Sequence, residues 1–339
     1  MKISIIGSGS WGTALSILLN DNKHKVKLWF RRKELLEKVK IERENSIYLP
    51  GVKIPDEVFL TSDLNEALDG AEIIVLAVPT QHLRGIISRE EFKNCKGKII
   101  VNVAKGIENE TLMRISEIVH EVLGVDENYC VLSGPSHAEE VSRKMPTAVV
   151  VASFNKDVAK FVQDVFINNY FRVYTSEDVV GVELGGALKN IIAIATGIAD
   201  GIGFGDNTRA AIMTRGIAEI VRLGIAMGAK LETFAGLSGI GDLIVTCTSK
   251  YSRNRFVGEQ IGRGKKLDEI LKDMVMVAEG IWTTISAVKL SKKYDIEMPI
   301  TNSVYDVLFN GKDPMSATSE LMGRSAKPEV WGLKSNKLF

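Results

Sequence analysis

Short, almost wholly apolar runs alternate with amphipathic runs through the first half of the chain, and no other feature restricts the fold as much. KISIIG, KVKLWF, EIIVLAVP, KIIVNVAKG and NYCVLSGP read as strands. SWGTALSILLND, RKELLEKVKIERE, a segment from about Gln81 and TLMRISEIVHEVLG read as helices between them, with a loop around NSIYLPGVKIP. TAVVVAS, a helix from about Asp157 and FRVYTS extend the pattern. Strands that are apolar on both faces and joined through helices belong to a mostly parallel sheet covered on both sides. From Val180 onward helical periodicity takes over. The expected fold class is therefore α/β. A doubly wound parallel sheet spans residues 1–178 and an all-helical domain spans 179–339, with a cleft between them. Two cores also suit a length of 339 residues, more than one core usually fills. The terminal SNKLF reads as a frayed tail.

The first strand–helix turn is Gly7-Ser8-Gly9-Ser10-Trp11-Gly12. In that context a GxGxxG pattern is more than a plain glycine turn. Gly7 permits the bend, Gly9 lets a pyrophosphate approach the backbone, and Gly12 lets the helix close on the strand. The first domain is therefore expected to be a Rossmann-type dinucleotide-binding domain. The second strand ends in Trp29-Phe30-Arg31-Arg32, where an NAD-specific site usually carries an acidic residue. Two guanidiniums suit a 2′-phosphate. As a merely solvated pair at a helix start they would oppose the macrodipole. NADP(H) is thus the preferred cofactor expectation, with NAD(H) also possible.

The rest of the composition excludes several classes. The net charge of +1, from 43 basic and 42 acidic residues, does not fit a polyanion binder. The three cysteines are scattered and the four histidines show no ligand spacing, so no metal is expected. Free cysteines and an N-terminus that opens into a strand suit the cytoplasm. The longest apolar stretch is interrupted by Lys189 and Asp200, so no stable membrane insertion is expected.

That stretch, GVELGGALKNIIAIATGIADG, carries the chemistry of the second half. At about 100° per residue, Leu184, Leu188, Ile191, Ile194 and Ile198 share one face. Lys189 stands on the other, among Gly185, Gly186, Ala193, Thr196, Gly197 and Asp200. Either a helix packs closely there and Lys189 snorkels to solvent, or the small face admits a ligand. A nicotinamide enzyme needs a proton donor beside the hydride. All histidines lie in the first half, and His137 reads as a first-turn surface residue. A desolvated Lys189 is then the better acid/base candidate. Asp242, between glycines and an apolar run, can orient Lys189 or simply cap a helix. Ser252-Arg253-Asn254 opens a helix and suits a phosphate dianion, or is a solvated basic start. Lys105 ends a strand and can meet a phosphate or a substrate oxygen, or stay in solvent. Ser136 and Glu139 have capping-box spacing.

GSGSWGTAL, NVAKGIE, SGPSHAEEV, GVELGGALKNIIAIATGIADG, GLSGIGDLIVTCTSKYSRNR and VAEGIWTT occur in order over nearly the whole chain. Together they resemble bacterial NAD(P)-dependent sn-glycerol-3-phosphate dehydrogenases. The resemblance implies reversible reduction of dihydroxyacetone phosphate to sn-glycerol 3-phosphate for glycerophospholipid synthesis, by a homodimer. It makes Lys189 the acid/base and places Lys105 on both cofactor and substrate. It assigns Gly134, Ser136, Asp242, Ser252, Arg253 and Asn254 to the substrate side. It assigns Ser10, Trp11, Arg31, Arg32, Ala138, Val277 and Glu279 to the cofactor, with Arg253 serving both. Two other readings stay open. One is a dehydrogenase of another anionic hydroxy compound, such as a hydroxyacyl thioester, although such enzymes usually use a histidine in the second domain. The other is a non-catalytic NADP(H)-sensing module.

Overall fold

The structure is a computed structural model in which residues 1–329 are described; SNKLF lies outside the described residues. Eight strands form one sheet: β1 Lys2–Ile6, β2 Lys25–Trp29, β3 Phe59–Thr61, β4 Ile73–Leu76, β5 Ile99–Asn102, β6 Tyr129–Ser133, β7 Thr147–Ser153 and β8 Phe171–Ser176. Their spatial order is β3-β2-β1-β4-β5-β6-β7-β8. All neighbouring pairs are parallel except β6 and β7, which run antiparallel. Seven helices cover this sheet: α1 Ser10–Asp21, α2 Lys33–Glu42, α3 Leu64–Leu68, α4 Thr80–Ile87, α5 Ile115–Leu123, α6 Ala138–Val141 and α7 Lys156–Phe166. The strand residues that read as continuous apolar runs are buried on both faces, as Ile5, Val75, Ile100 and Leu132 are.

Phe59–Thr61 and Leu64–Leu68 lie within what reads from the sequence as one connecting segment, and both are regular structure. At three and five residues, neither is long enough to show a period. Pairing with β2 through Lys27 and Phe59 makes the strand, and Asp63 caps the short helix by accepting from Asn65 N.

The order reverses between β1 and β4, so loops diverge above their carboxyl ends. Gly7, φ +118°, makes the turn there, and a Cβ on it would stand 2.5 Å from the Ala77 carbonyl oxygen. A Cβ on Gly12 would stand 1.9 Å from the Gly7 carbonyl oxygen, which is why α1 can begin so tightly on β1.

From Val179 the described chain is helical: α8 Val179–Ile202, α9 Asp206–Ala226, α10 Leu231–Phe234, α11 Asp242–Thr248, α12 Arg253–Gly262, α13 Leu267–Asp273, α14 Glu279–Lys293, α15 Pro299–Phe309 and α16 Pro314–Met322. A π-turn at Leu237–Gly241 leads into α11. The centre is α8, capped by Asp178, which accepts from Gly181 N, and ended by Gly203 in the left-handed region. It is long and apolar enough to cross a bilayer, but 94% of its most apolar window is buried inside the protein. An apolar perimeter is what a helix surrounded by other helices requires. The first turns of α8 also dock on the sheet domain. Glu183 accepts from Ser116 N at 2.8 Å, Ser116 Oγ at 2.7 Å and Tyr129 OH at 2.6 Å, and it pairs with Arg114.

Candidate active site

A cleft of about 480 Å³ opens where the loops after β1, β4, β5 and β6 face α8, α11, α12 and the start of α14. Its sheet-side wall includes Gly7, Gly9, Ser10 and Trp11 at the head of α1. Arg31 and Arg32 follow β2, and Lys105 follows β5. Ser136, His137 and Ala138 come from the segment after β6. Lys189, Asp242, Ser252, Arg253 and Asn254 form the helical wall, with Val277 and Glu279 above them. Of the residues assigned from the sequence to substrate, cofactor or catalysis, Gly12 and Gly134 lie behind the wall. Gly12 packs against Gly7. Gly134, φ +136°, turns its carbonyl toward Lys105 and Ser136.

Lys189 is 5% exposed and Asp242 is 1% exposed. Lys189 Nζ donates to Asp242 Oδ1 and, at 2.5 Å, to Thr246 Oγ1. Lys105 Nζ donates to the other oxygen, Asp242 Oδ2, at 2.7 Å, and to Gly134 O at 2.9 Å. One carboxylate thus bridges two ammonium groups, one from each half of the chain. Burial lowers the Lys189 pKa to about 8. Asp242 opposes that shift and the Lys105 charge adds to it. Burial alone would raise the Asp242 pKa, but Lys105 and Lys189 more than offset it and hold the carboxyl below its ordinary range. The lysine is therefore mostly protonated near neutrality yet able to give its proton up.

The small face of α8 is explained by what lies against it. A Cβ on Gly185 would meet the Ser238 carbonyl oxygen at 2.5 Å. One on Gly186 would meet Ser133 Oγ at 2.8 Å and the Lys105 side chain at 3.5 Å. The clearance at Gly185 admits the π-turn of the same helical half, and the clearance at Gly186 admits the facing domain and its Lys105 side chain. Lys189 does not snorkel.

Two local expectations need correction, and at Asp242 the geometry selects between two readings. Ser136 caps no helix: α6 begins at Ala138 after His137, and Ser136 Oγ donates to Gly134 O at 2.9 Å. With His137 at the N-cap the third helical residue is Glu140, so Ser136 and Glu139 stand one position out of register for a capping box. His137 is not a surface residue. It lines the cleft beside Tyr251, with ring centroids 5.9 Å apart. Burial, with Lys189 next, lowers its pKa to about 4, so it is neutral at pH 7. Asp242 is the first residue of α11 and gives its side chain to the two lysines rather than to a cap.

Ser252 caps α12 by accepting from Arg255 N at 3.2 Å. Arg253 Nη1 donates to Val277 O at 3.3 Å, and burial lowers the guanidinium pKa. Asn254 Nδ2 donates to Asn190 Oδ1 at 2.9 Å, and Asn190 Nδ2 to Lys105 O at 3.2 Å. Glu279 Oε1 accepts from Thr80 N at 2.9 Å. Its Oε2 is buried with no hydrogen-bond partner among the described residues, and burial lifts its pKa to about 7. Arg32 Nη2 donates to Tyr48 OH at 2.6 Å, with the guanidinium 5.5 Å from the ring centroid. Thr246, Asn190 and Tyr48 were not visible as site residues. Thr246 and Asn190 had a signal, since one follows Asp242 by a helical turn and the other adjoins Lys189. Tyr48 sits in a loop, with no period to mark it.

The donors above β1 fit a dinucleotide. Among the described residues nothing lies within 4 Å of a Cβ built on Gly9, which leaves room for a ligand at the head of α1. Next to it, three cations drawn from both walls, Lys105, Lys189 and Arg253, outnumber the bridged Asp242 carboxylate, which suits a phosphorylated ligand.

Comparison with known proteins gives a consistent picture. The family description "NAD-dependent glycerol-3-phosphate dehydrogenase N-terminus" matches residues 2–159, and its C-terminal counterpart matches residues 178–319. A glycerol-3-phosphate dehydrogenase [NAD(P)+] of Thermoanaerobacter sp. (strain X514) is 54% identical over 333 residues, covering 98% of this chain and 100% of that protein. The protein of the same name from Geobacillus kaustophilus is 53% identical over 340 residues, covering 100% of this chain and 98% of that one. The crystal structure of glycerol-3-phosphate dehydrogenase from Coxiella burnetii superposes with a TM-score of 0.92 at 38% identity, covering 95% of this chain and 99% of that one.

Proposed function

This chain belongs to the NAD-dependent glycerol-3-phosphate dehydrogenase family, and from that premise we propose how its own residues perform the reaction. The enzyme reduces dihydroxyacetone phosphate to glycerol 3-phosphate with NADPH or NADH. In our reading residues 1–178 hold the dinucleotide and residues 179–339 form the substrate side. Gly7, Gly9, Ser10, Trp11 and Gly12 hold the pyrophosphate, and Arg31 and Arg32 the 2′-phosphate. Lys105, Ala138, Arg253, Val277 and Glu279 complete that site. When bound, the nicotinamide supplies the hydride, and it takes one up in the reverse direction. The reading extends to a cytoplasmic homodimer whose product enters glycerophospholipid synthesis, on the strength of the family resemblance.

Ser252, Arg253 and Asn254 receive the phosphate at the head of α12, while Gly134, Ser136 and Lys105 position the rest of the substrate. Lys189 gives its proton to the C2 oxygen as the carbonyl becomes an alcohol, and withdraws it in oxidation. Asp242 keeps that ammonium charged in a buried site, and Thr246 fixes its direction. The observation that carries this reading is the buried Lys189–Asp242–Lys105 bridge in the cleft wall.

The bridge predicts a pH signature. Reduction uses protonated Lys189, whose pKa is about 8. Its rate should hold below about pH 8 and fall roughly tenfold per unit above. Oxidation uses the neutral amine and should rise through the same region. Rates measured in both directions from pH 6 to 10 check this; a flat profile in both overturns it.

The arginine pair makes NADPH the preferred cofactor in this reading. Replacing both Arg31 and Arg32 by Ala should lower kcat/KM for NADPH about tenfold to a hundredfold, as expected for lost charged hydrogen bonds. NADH should change little. An equal fall with both cofactors overturns the assignment.

A further inference from the structure

The helix that carries Lys189 and the helix whose first turn would hold the phosphate touch backbone to backbone. A Cβ on Gly197 would stand 2.0 Å from Arg255 O, and one on Gly201 2.3 Å from Glu259 O. From the other side, a Cβ on Gly258 would stand 2.1 Å from Ile194 O, and one on Gly262 2.3 Å from Ile198 O. Gly197 and Gly201 on α8 therefore interlock with Gly258 and Gly262 on α12, each pair spaced by one helical turn. No substitution fits without parting the helices, and no slip by a turn keeps all four approaches.

Polar contacts pin the same register. Asp200, on α8, accepts from Arg255 Nε at 2.8 Å and pairs with Arg255 Nη2 at 2.7 Å through one oxygen. Its other oxygen accepts from Arg209 Nη2 at 2.7 Å. The Asp200 side chain is only 8% exposed. Nearer the cleft, Asn254 beside Arg255 is tied to Asn190, which precedes Asp200 by nearly three turns on α8 and adjoins Lys189. The first turn of α12 is thus fixed to α8 on both sides of the closest backbone contact.

We infer that this glycine seam, with Asp200 as its positioning residue, is the ruler that sets how far the substrate's phosphate lies from the carbonyl that Lys189 protonates. The inference rests on the reading of Lys189 as acid/base and of Ser252–Asn254 as the phosphate subsite. Its consequence is selection by length. A rigid span accepts the single carbon between carbonyl and phosphate ester in dihydroxyacetone phosphate, and rejects the homologue with one more methylene. None of the four glycines belongs to the proposed acid/base or phosphate groups, so they act on specificity through α12 alone.

The test compares dihydroxyacetone phosphate with that homologue in the full-length enzyme, in Gly262→Ala and in Asp200→Asn. An added Cβ must reach an ordinary separation of about 3.5 Å, so Gly262→Ala parts the helices by roughly 1 Å. Displacements of that size can cost on the order of 100-fold in rate. The unaltered enzyme should prefer dihydroxyacetone phosphate by about 10–200-fold, the usual worth of one methylene. In both variants kcat/KM for dihydroxyacetone phosphate should fall and the preference should contract by about tenfold. Asp200→Asn adds no atom to the backbone contact, so it decides the matter even where Gly262→Ala is poorly folded. Loss of activity with an unchanged preference in Asp200→Asn overturns the ruler. Failure of the underlying reading shows differently, as an unaltered enzyme that does not turn over dihydroxyacetone phosphate.

Discussion

Replacing Lys189 by Met should lower turnover of dihydroxyacetone phosphate by roughly 1,000-fold, within the range that general acid catalysis supplies. The substitution keeps much of the side-chain volume, so the core of α8 stays filled. It removes the ammonium but leaves Asp242 paired with Lys105 at 2.7 Å, so the carboxylate is not stranded. Binding of NADPH should change by less than about threefold, because the pyrophosphate and arginine sites lie on the other wall. Steady-state kinetics with a separate cofactor titration check both halves. Near-normal turnover in Lys189→Met would remove the lysine from the mechanism.

Asp242→Asn should be nearly as damaging, for a different reason. It leaves two ammonium groups facing an amide in a site where Asp242 itself is 1% exposed. Removing one partner of a buried ionic group typically costs about 3–5 kcal/mol of stability. The protein escapes part of that cost by releasing the Lys189 proton, since the Asp242 charge is what holds that pKa up against burial. The limb of the reduction profile should therefore move from about 8 to lower pH. At neutrality reduction should fall by on the order of 100-fold. The stability argument has the same sign. The folded-state pKa of Asp242 is depressed, so its contribution is present above the ordinary carboxylate range and lost as pH falls through the lowered value. Thermal melts and pH–rate profiles of the variant check these expectations. A limb that stays near 8 would mean that the carboxylate does not tune the lysine.

Much of the architecture was legible because the elements are long and their periods differ. Ser10–Asp21, Thr147–Ser153 and Phe171–Ser176 coincide with the runs read as SWGTALSILLND, TAVVVAS and FRVYTS. Phe59–Thr61 was invisible because three residues carry no period and only pairing with β2 makes them a strand. The reversed direction of β7 was hidden as well, since a buried strand reads the same both ways. Around the cleft, residue chemistry pointed to Lys189, Asp242 and Arg253, and offered Asp242 as the group that orients Lys189. That the lysine shares its counter-ion with Lys105, 84 positions earlier, follows only from the packing of α8 on the sheet domain. The neutrality of His137 likewise comes from desolvation, which no local pattern announces.

The antiparallel step from β6 to β7 has a mechanical consequence. Because β8 follows β7 in direction, the chain leaves the sheet at the end remote from the cleft. The next helix then travels back along β6. Glu183 meets Tyr129 at that strand's start, and Gly186 passes Ser133 at its end. Lys189 is delivered one turn later. Lys189 is thereby mounted on the sheet domain, although its sequence belongs to the helical half. The lysine is thus held in register with the strands beneath α8 by contacts at both ends of β6.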